Sequence, residues 1–244
     1  MSPTLVPIYG TWGIQSYGFC IALGVLAATY LALHDPRRKK LLTNDQTFSL
    51  MSWCIIAGAI GGWLMAVLTG QRTTWEEIVT AGLSILGTII GIFIFLLFYL
   101  RKHRLPLLPI LDLCGSYGAL VQAFGRVGCF FAGCCYGLPS TVAWAVTYTD
   151  SDSYAPTCVP LHPSQLYSAG ILFGIFLFIY FYLRHVLKKP GQIMSSYLLL
   201  VSIERFSTDY FRTDHGAGMF SVNQYIAMGL GALAMALLGW TSRK

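Results

Sequence analysis

The sequence predicts an all-α integral membrane protein of about seven transmembrane helices, on three observations. Asp, Glu, Lys and Arg together make up only 11% of the 244 residues, where a soluble domain devotes about a quarter to charge. Apolar side chains account for 55% of the chain, with a mean hydropathy of +0.62. The apolar residues also gather into runs of about 20, the length that crosses the hydrocarbon core of a bilayer. So little polar surface cannot coat a soluble globule, and the whole of 1–244 reads as one polytopic membrane domain without tandem repeats or low-complexity tracts.

The runs lie at 13–33, 48–69, 78–100, 107–128, 161–183, 192–206 and 220–240. The stretch before the first run, Met1 to Tyr17, contains no Lys or Arg; it lacks the basic leader of a cleaved signal peptide, so the first span is expected to be retained. Arg37, Arg38, Lys39 and Lys40 follow that span, and Arg101, Lys102 and Arg104 follow the third. Arg184, Lys188 and Lys189 follow the fifth, and Arg243 and Lys244 follow the seventh. Seven crossings put these bases on one side, which the positive-inside rule makes cytoplasmic. The N-terminus is then expected outside and the C-terminus in the cytoplasm. The polar stretch 147–160 becomes an outer loop between the fourth and fifth spans.

The net charge of +6 does not point to nucleic acid, because the bases sit in short clusters between apolar runs rather than in a stripe interleaved with aromatics. Four bases remain: Arg72, Arg126, Arg205 and Arg212, all at or near the outer face. An arginine at membrane depth costs roughly 2.5–3.5 kcal/mol on insertion scales, so each is expected to face a polar cavity or a partner. Structural pairing with Asp112, Glu204, Asp209 or Asp214 is one account of them. The other is an anion site built where arginines from two distant segments converge.

Three segments concentrate the chemistry. In Gly125-Arg126-Val127-Gly128-Cys129-Phe130-Phe131-Ala132-Gly133-Cys134-Cys135-Tyr136-Gly137, the small residues suit either a backbone that leaves the helix beside a ligand or close packing of helices. Cys129, Cys134 and Cys135 match no CxxC pair, and no second ligand pair follows; a bridge from Cys158 to Cys134 or Cys135 is an open alternative. In Pro160-Leu161-His162-Pro163-Ser164-Gln165-Leu166-Tyr167, Pro163 suits the first turn of a helix. His162, Gln165 and Tyr167 place hydrogen-bonding groups at an interface that also favours aromatics. In Arg205-Phe206-Ser207-Thr208-Asp209-Tyr210-Phe211-Arg212-Thr213-Asp214, Arg205, Asp209 and Arg212 stand i, i+4, i+7 on one helical face. An arginine fork matches phosphate oxygens in pairs.

At these segments the chain resembles the bacterial prolipoprotein diacylglyceryl transferases, which carry G-R-x-G-N-F-x-N-x-E-x-x-G, H-P-S-Q-L-Y-E and R-F-x-x-E-F-x-R-x-P-D. Here they stand as GRVGCFFAGCCYG, HPSQLYS and RFSTDYFRTD. Tyr17-Gly18, Gly58, Gly62, Asp112, Gln122 and Asn223-Gln224 extend the likeness. The resemblance implies transfer of a diacylglyceryl group from phosphatidylglycerol, or a similar anionic phospholipid, to the cysteine thiol of an exported lipoprotein precursor, with glycerol phosphate leaving. It implies a multi-pass protein of the bacterial cell (inner) membrane whose active site faces the non-cytoplasmic side. Arg126 and Arg205 are assigned to the phosphate, oriented by Asp209 and Arg212. His162, Cys129 and Cys134 are placed among the catalytic candidates. Tyr17, Asp112, Gln122, Gly137, Gln165 and Tyr167 are assigned to substrate binding. No metal or redox cofactor is needed for that chemistry.

The departures from the family pattern are also specific. Its two asparagines are Cys129 and Ala132 here, and its glutamate is Cys134. Leu86 stands where the family has a histidine in the third span, Leu161 where many members have an arginine before HPSQ, and Ile60 at an arginine of the second span. The phosphate-facing residues persist while the polar residues on the acceptor side are rewritten. Three alternatives therefore stand beside the transferase: a paralogue with a different acceptor, a variant using an enzyme cysteine as nucleophile, and a lipid or metal handler without catalysis. A transporter fits less well, for want of an inverted repeat or a chain of acids across the membrane.

Overall fold

The computed structural model describes residues 4–9, 12–69, 84–212 and 220–243. Arg72, Thr213, Asp214 and the first residues of the run at 78–100 lie outside them.

The long elements are helices at the positions of the apolar runs: α1 Ser16–His34, α3 Asn44–Leu68, α4 Ile85–Lys102, α5 Leu107–Ala132, α6 Ser164–Val186, α7 Gln192–Asp209 and α8 Val222–Arg243. A short helix, α2 Pro36–Leu41, follows α1. Five of the long helices (α1, α3, α5, α6 and α8) are long and apolar enough to cross a membrane. Their outward faces carry large apolar side chains, such as Leu26, Ile55, Ile60, Phe178 and Leu233. Such surface is unsuited to water and suited to lipid. The chain is an all-α membrane protein.

Two differences from the sequence expectation concern helix ends. Ahead of α1 the chain forms an antiparallel pair, β1 Thr4–Tyr9 with β2 Trp12–Gln15. Thr, Val, Ile and Tyr favour extended backbone, and Pro7 denies a helix its backbone donor, so the first helix begins at Ser16 rather than Gly13. The other concerns α5, which runs through the glycine-rich segment to Ala132. The backbone leaves the helix only at Gly133, with φ +75°. Of the two accounts of these small residues, packing holds for Gly128: a Cβ there would lie 3.1 Å from the Tyr17 Cα and 3.1 Å from the Cys20 Cβ of α1.

The chain divides into two compact units, Leu33–Ile110 and Met1–Ala32 with Leu111–Lys244. In the first, α3 and α4 meet along a seam of small residues, Ala57, Gly61, Gly87 and Gly91, where backbones approach closely. Ahead of that seam the Arg38 side chain is buried. Its guanidinium donates to the carbonyl of Leu33, to that of Leu42 at 3.2 Å and to Asn44 Oδ1 at 2.8 Å, fixing the turn from α2 into the Thr43-capped start of α3.

In the other unit, Ala28 of α1, Tyr117 and Leu120 of α5, Ile175 and Phe176 of α6, and Ile193 and Tyr197 of α7 form the core. The last turns of α6 widen into a π-turn at Ile179–Leu183, where the Arg184 guanidinium lies 4.3 Å from the centre of the Tyr180 ring. Between α5 and α6 runs the expected loop. It is ordered by a two-residue pair, β3 Val146–Thr147 with β4 Pro160–Leu161, and by Tyr148, Ala155 and Leu161, which are buried together.

Candidate active site

The three chemistry-bearing segments meet at Gly137. Its amide donates to the His162 carbonyl at 3.1 Å, and the next amide, Leu138, donates to the Phe211 carbonyl at 2.9 Å. His162 returns the contact by donating to the Leu138 carbonyl at 2.9 Å, and Gly137 faces Arg212 across an antiparallel bridge. No side chain fits between these strands. A Cβ on Gly137 would lie 2.6 Å from the His162 carbonyl oxygen and 2.8 Å from its Cβ, and would strike the Phe211 carbonyl.

Above this seam the rings of His162, Tyr167 and Phe211 pack edge to face, with centroids 5.5–6.0 Å apart. The Tyr167 hydroxyl lies 3.1 Å from His162 Nδ1 and accepts from the Trp144 indole at 2.6 Å. Trp144 had no sequence signal, because it reaches the site from the α5–α6 loop rather than from any of the three segments.

The start of α6 fixes the cysteine loop. Ser164 Oγ donates to the Cys135 carbonyl at 3.0 Å, and the Gln165 amide donates to the Cys134 carbonyl at 2.9 Å and to the Tyr148 hydroxyl at 3.3 Å. Tyr148 in turn donates to the Phe130 carbonyl at 3.1 Å. Cys135 is thereby held at φ 59°, a left-handed conformation that a non-glycine residue adopts only at a cost. The sulfurs of Cys129, Cys134 and Cys135 lie within 4.8 Å of one another. Cys134, Cys135 and Cys158 carry free thiols, so the cross-loop disulfide considered from the sequence is not formed.

The charges converge on the same place. Arg126, one residue after Gly125 on α5, and Arg212, just past α7, both act electrostatically on Arg205 of α7. Both also act on Cys135, and Arg126, Cys129, Cys134 and Cys135 all act on Tyr17 at the start of α1. Hydrogen bonds from the Cys129 and Cys134 thiols, joined by the Arg212 and Arg126 guanidinium groups, hold the Cys135 thiol below its ordinary value. Cys135 is the member of the cluster that the sequence reading left out of the catalytic candidates, weighing it only with the other cysteines as a ligand or as a disulfide partner of Cys158.

Asp209 pairs with Arg205. It is 1% exposed, its Oδ1 lies 3.9 Å from Arg205 Nη2, and its Oδ2 accepts from the Ser221 hydroxyl. Ser221 caps α8 by accepting from the Gln224 amide at 3.1 Å, so the carboxylate is tied to a second helix. Glu204 is buried alongside, accepting from the hydroxyls of Ser168 and Thr208.

The remaining candidates separate. Gln122 stands one turn before Arg126 on the same face of α5 and is exposed. Asp112 does not reach the cluster: it lies about four turns, roughly 21 Å, before Arg126 on the same helix. Its oxygens instead accept from the Gly191 amide at 2.7 Å and the Met194 amide at 2.9 Å. A carboxylate is favourable at that helix start because it satisfies orphan donors and the helix dipole.

Comparison with known proteins agrees with this geometry. The family model for prolipoprotein diacylglyceryl transferase matches residues 3–240. Among curated relatives, the phosphatidylglycerol–prolipoprotein diacylglyceryl transferase of Clostridium tetani is 36% identical, over 93% of this chain and 93% of its own. The second such enzyme of Clostridium perfringens is 33% identical, over 88% and 86%, and that of Campylobacter hominis is 29% identical, over 98% and 89%. A match of that extent, with its three most telling segments folded onto one glycine, makes this chain a member of the prolipoprotein diacylglyceryl transferase family.

Proposed function

We propose that this membrane enzyme transfers a diacylglyceryl group from phosphatidylglycerol to a cysteine thiol of an exported acceptor, a lipoprotein precursor, and releases glycerol phosphate. The observation that carries the reading is the convergence of Arg126, Arg205 and Arg212, from two segments far apart in sequence: Arg126 and Arg212 both act on Arg205 and both act on Cys135. Asp209 and Glu204 offset part of that charge, and an external anion is the further partner such a cluster suits. The phosphate diester of the lipid supplies one.

As the thiolate sulfur attacks the glycerol carbon, a C–S bond forms and the C–O bond breaks with its electron pair passing to the phosphate oxygen. Charge on the phosphate rises during this step. Guanidinium groups already in place stabilise that increase more than they stabilise the bound lipid. Asp209, locked by Ser221, keeps Arg205 from following the departing phosphate. Tyr17, Gln122 and the His162–Tyr167 pair border the headgroup, and Gly137 and Gln165 hold the backbone that carries the thiols. The charge asymmetry of the loops supports a site facing the non-cytoplasmic side of the bacterial cell membrane, where phosphatidylglycerol and an exported precursor meet.

The test is direct. Purified protein in detergent is given phosphatidylglycerol labelled in its headgroup and a peptide bearing the precursor's cysteine. Peptide-dependent release of glycerol phosphate, with a diacylglyceryl thioether on the peptide, is the expected outcome. Lipid binding by folded protein with no release in any condition refutes it and leaves a lipid-binding relative.

A further inference from the structure

The thiols of Cys129, Cys134 and Cys135 have no assignment in the transfer chemistry described above, yet their sulfurs lie within 4.8 Å of one another. In a tetrahedral site with metal–sulfur bonds of about 2.3 Å, two sulfurs stand roughly 3.8 Å apart. The three thiols are therefore within about an ångström of a ligand set.

The positions of the three are built, not incidental. Cys129 is buried on the last turns of α5, where the helix fixes its Cα. Cys134 and Cys135 are brought back over it by Gly133 at φ +75° and by Cys135 itself at φ 59°. Their carbonyls are pinned by Gln165 and Ser164 at 2.9 and 3.0 Å. The Gln165 side chain that holds the Cys134 carbonyl is itself 1% exposed, and its Oε1 has no hydrogen-bond partner among the described residues. Charge completes the case. Three thiolates with a divalent cation carry a net negative charge, and Arg126 and Arg212 act on this cluster.

We propose that Cys129, Cys134 and Cys135 bind one thiophilic divalent cation of the zinc type, leaving its fourth position open for the acceptor's cysteine. Three protein ligands with an open position is the form of a catalytic zinc site, and thiolates select zinc over hard cations. The proposal rests on the transferase reading for the identity of that fourth ligand.

The transfer must remove a proton from the acceptor thiol, and among the described residues Asp209, Glu204 and His162 each already hold a partner. Asp209 takes Ser221 and Arg205, Glu204 takes Ser168 and Thr208, and His162 Nδ1 meets Tyr167. A thiol that coordinates such a cation is deprotonated outright. The proton passes to water as the sulfur binds; the same sulfur then gives an electron pair to the glycerol carbon as the C–O bond breaks toward phosphate. Nothing is oxidised or reduced. The product thioether is a weaker ligand than the thiolate and leaves the cation, reopening the position.

The experiment uses the full chain in detergent, reduced with a phosphine and stripped with a chelator. Cadmium is added as the optical probe, and a thiolate-to-cadmium absorption saturating at one ion per chain is expected. The band should be lost in Cys134→Ser and unchanged in Cys158→Ser. The acceptor peptide should strengthen it, and a peptide with serine for its cysteine should not. Glycerol phosphate release should fall roughly tenfold or more on stripping and return with zinc. Because the stripped and reloaded wild type is compared with itself, misfolding of a variant does not decide the result. No band from the reduced wild type overturns the site. A band indifferent to the peptide, or full turnover by stripped protein, overturns its role in transfer. Binding of metal and peptide as expected, with no glycerol phosphate released in either state, upholds the site and refutes the transferase reading instead.

Discussion

Gly137 and Arg212, 75 positions apart in the chain, face each other across an antiparallel bridge, and through it the loop after α5 is registered against the end of α7. Backbone hydrogen bonds thus help to place Arg212, the arginine that enters the charge cluster from the end of α7.

Gly137→Ala tests that seam. The added methyl would meet the His162 carbonyl oxygen at 2.6 Å, inside any normal contact, with backbone on both sides that cannot swing away. Forcing an extra carbon into such a site costs about 1–3 kcal/mol. The expected outcome is a lower unfolding midpoint in detergent together with a loss of glycerol phosphate release greater than the loss of folded protein. Release at the wild-type rate would show that the seam does not position Arg212.

Arg126→Ala should reduce glycerol phosphate release by about a hundredfold to a thousandfold, the range for removing one preorganised donor from a developing oxyanion. Arg126→Lys should recover little of it, because an ammonium cannot grip two phosphate oxygens as a guanidinium does. Helicity measured by circular dichroism should be unchanged in both. Wild-type turnover in Arg126→Ala would remove this residue from the phosphate.

Asp112→Ala separates a helix cap from a headgroup ligand. Loss of the two bonds to Gly191 and Met194 should cost about 0.5–2 kcal/mol of stability. Turnover per folded molecule should stay within about twofold, since the cluster lies about four turns away. Unchanged thermal stability with lost turnover would return Asp112 to the substrate.

How legible the site was in the sequence depended on whether a position is set by local pattern or by the path of the chain. The helices were legible because each is a run of apolar residues long enough to matter on its own; α7 begins at Gln192, where the pattern put it, and ends three residues later than expected, at Asp209. The strand pair before α1 was not, since its second strand, Trp12–Gln15, overlaps the start of the apolar run at 13–33 and reads as part of the first span. Arg205 and Asp209 could be placed together from i, i+4 spacing alone, whereas Arg212, expected on the same helical face, lies past the end of α7 and is held by the bridge to Gly137. The contacts of Asp112 were not legible, because a family match fixes a position and not a contact, and its partners Gly191 and Met194 lie some 80 residues away. The thiol trio was concealed for a related reason: Cys129 joins Cys134 and Cys135 only because Gly133 and Cys135 take left-handed backbone, which no ligand-spacing rule describes.

The same trio gives a pH prediction. An ordinary cysteine has a pKa near 8.5, so its alkylation slows about tenfold for each unit of pH below that. In the folded protein, thiol hydrogen bonds from Cys129 and Cys134, with Arg212 and Arg126 beside them, lower the Cys135 value. Its thiolate therefore persists as pH falls. Native, chelator-stripped protein treated with iodoacetamide should label Cys135 at a rate that declines less steeply between about pH 8 and pH 6 than that of the urea-unfolded chain, which should show the ordinary decline. The sign for stability follows. The unfolded thiol binds more protons than the folded one, so this stabilisation is complete above about pH 8.5 and is lost progressively as pH falls toward the folded value. Arg126→Ala removes one of the favourable charges and should move the labelling curve toward higher pH. A native curve that tracks the unfolded one would mean that neither the neighbouring thiols nor the arginines act on Cys135.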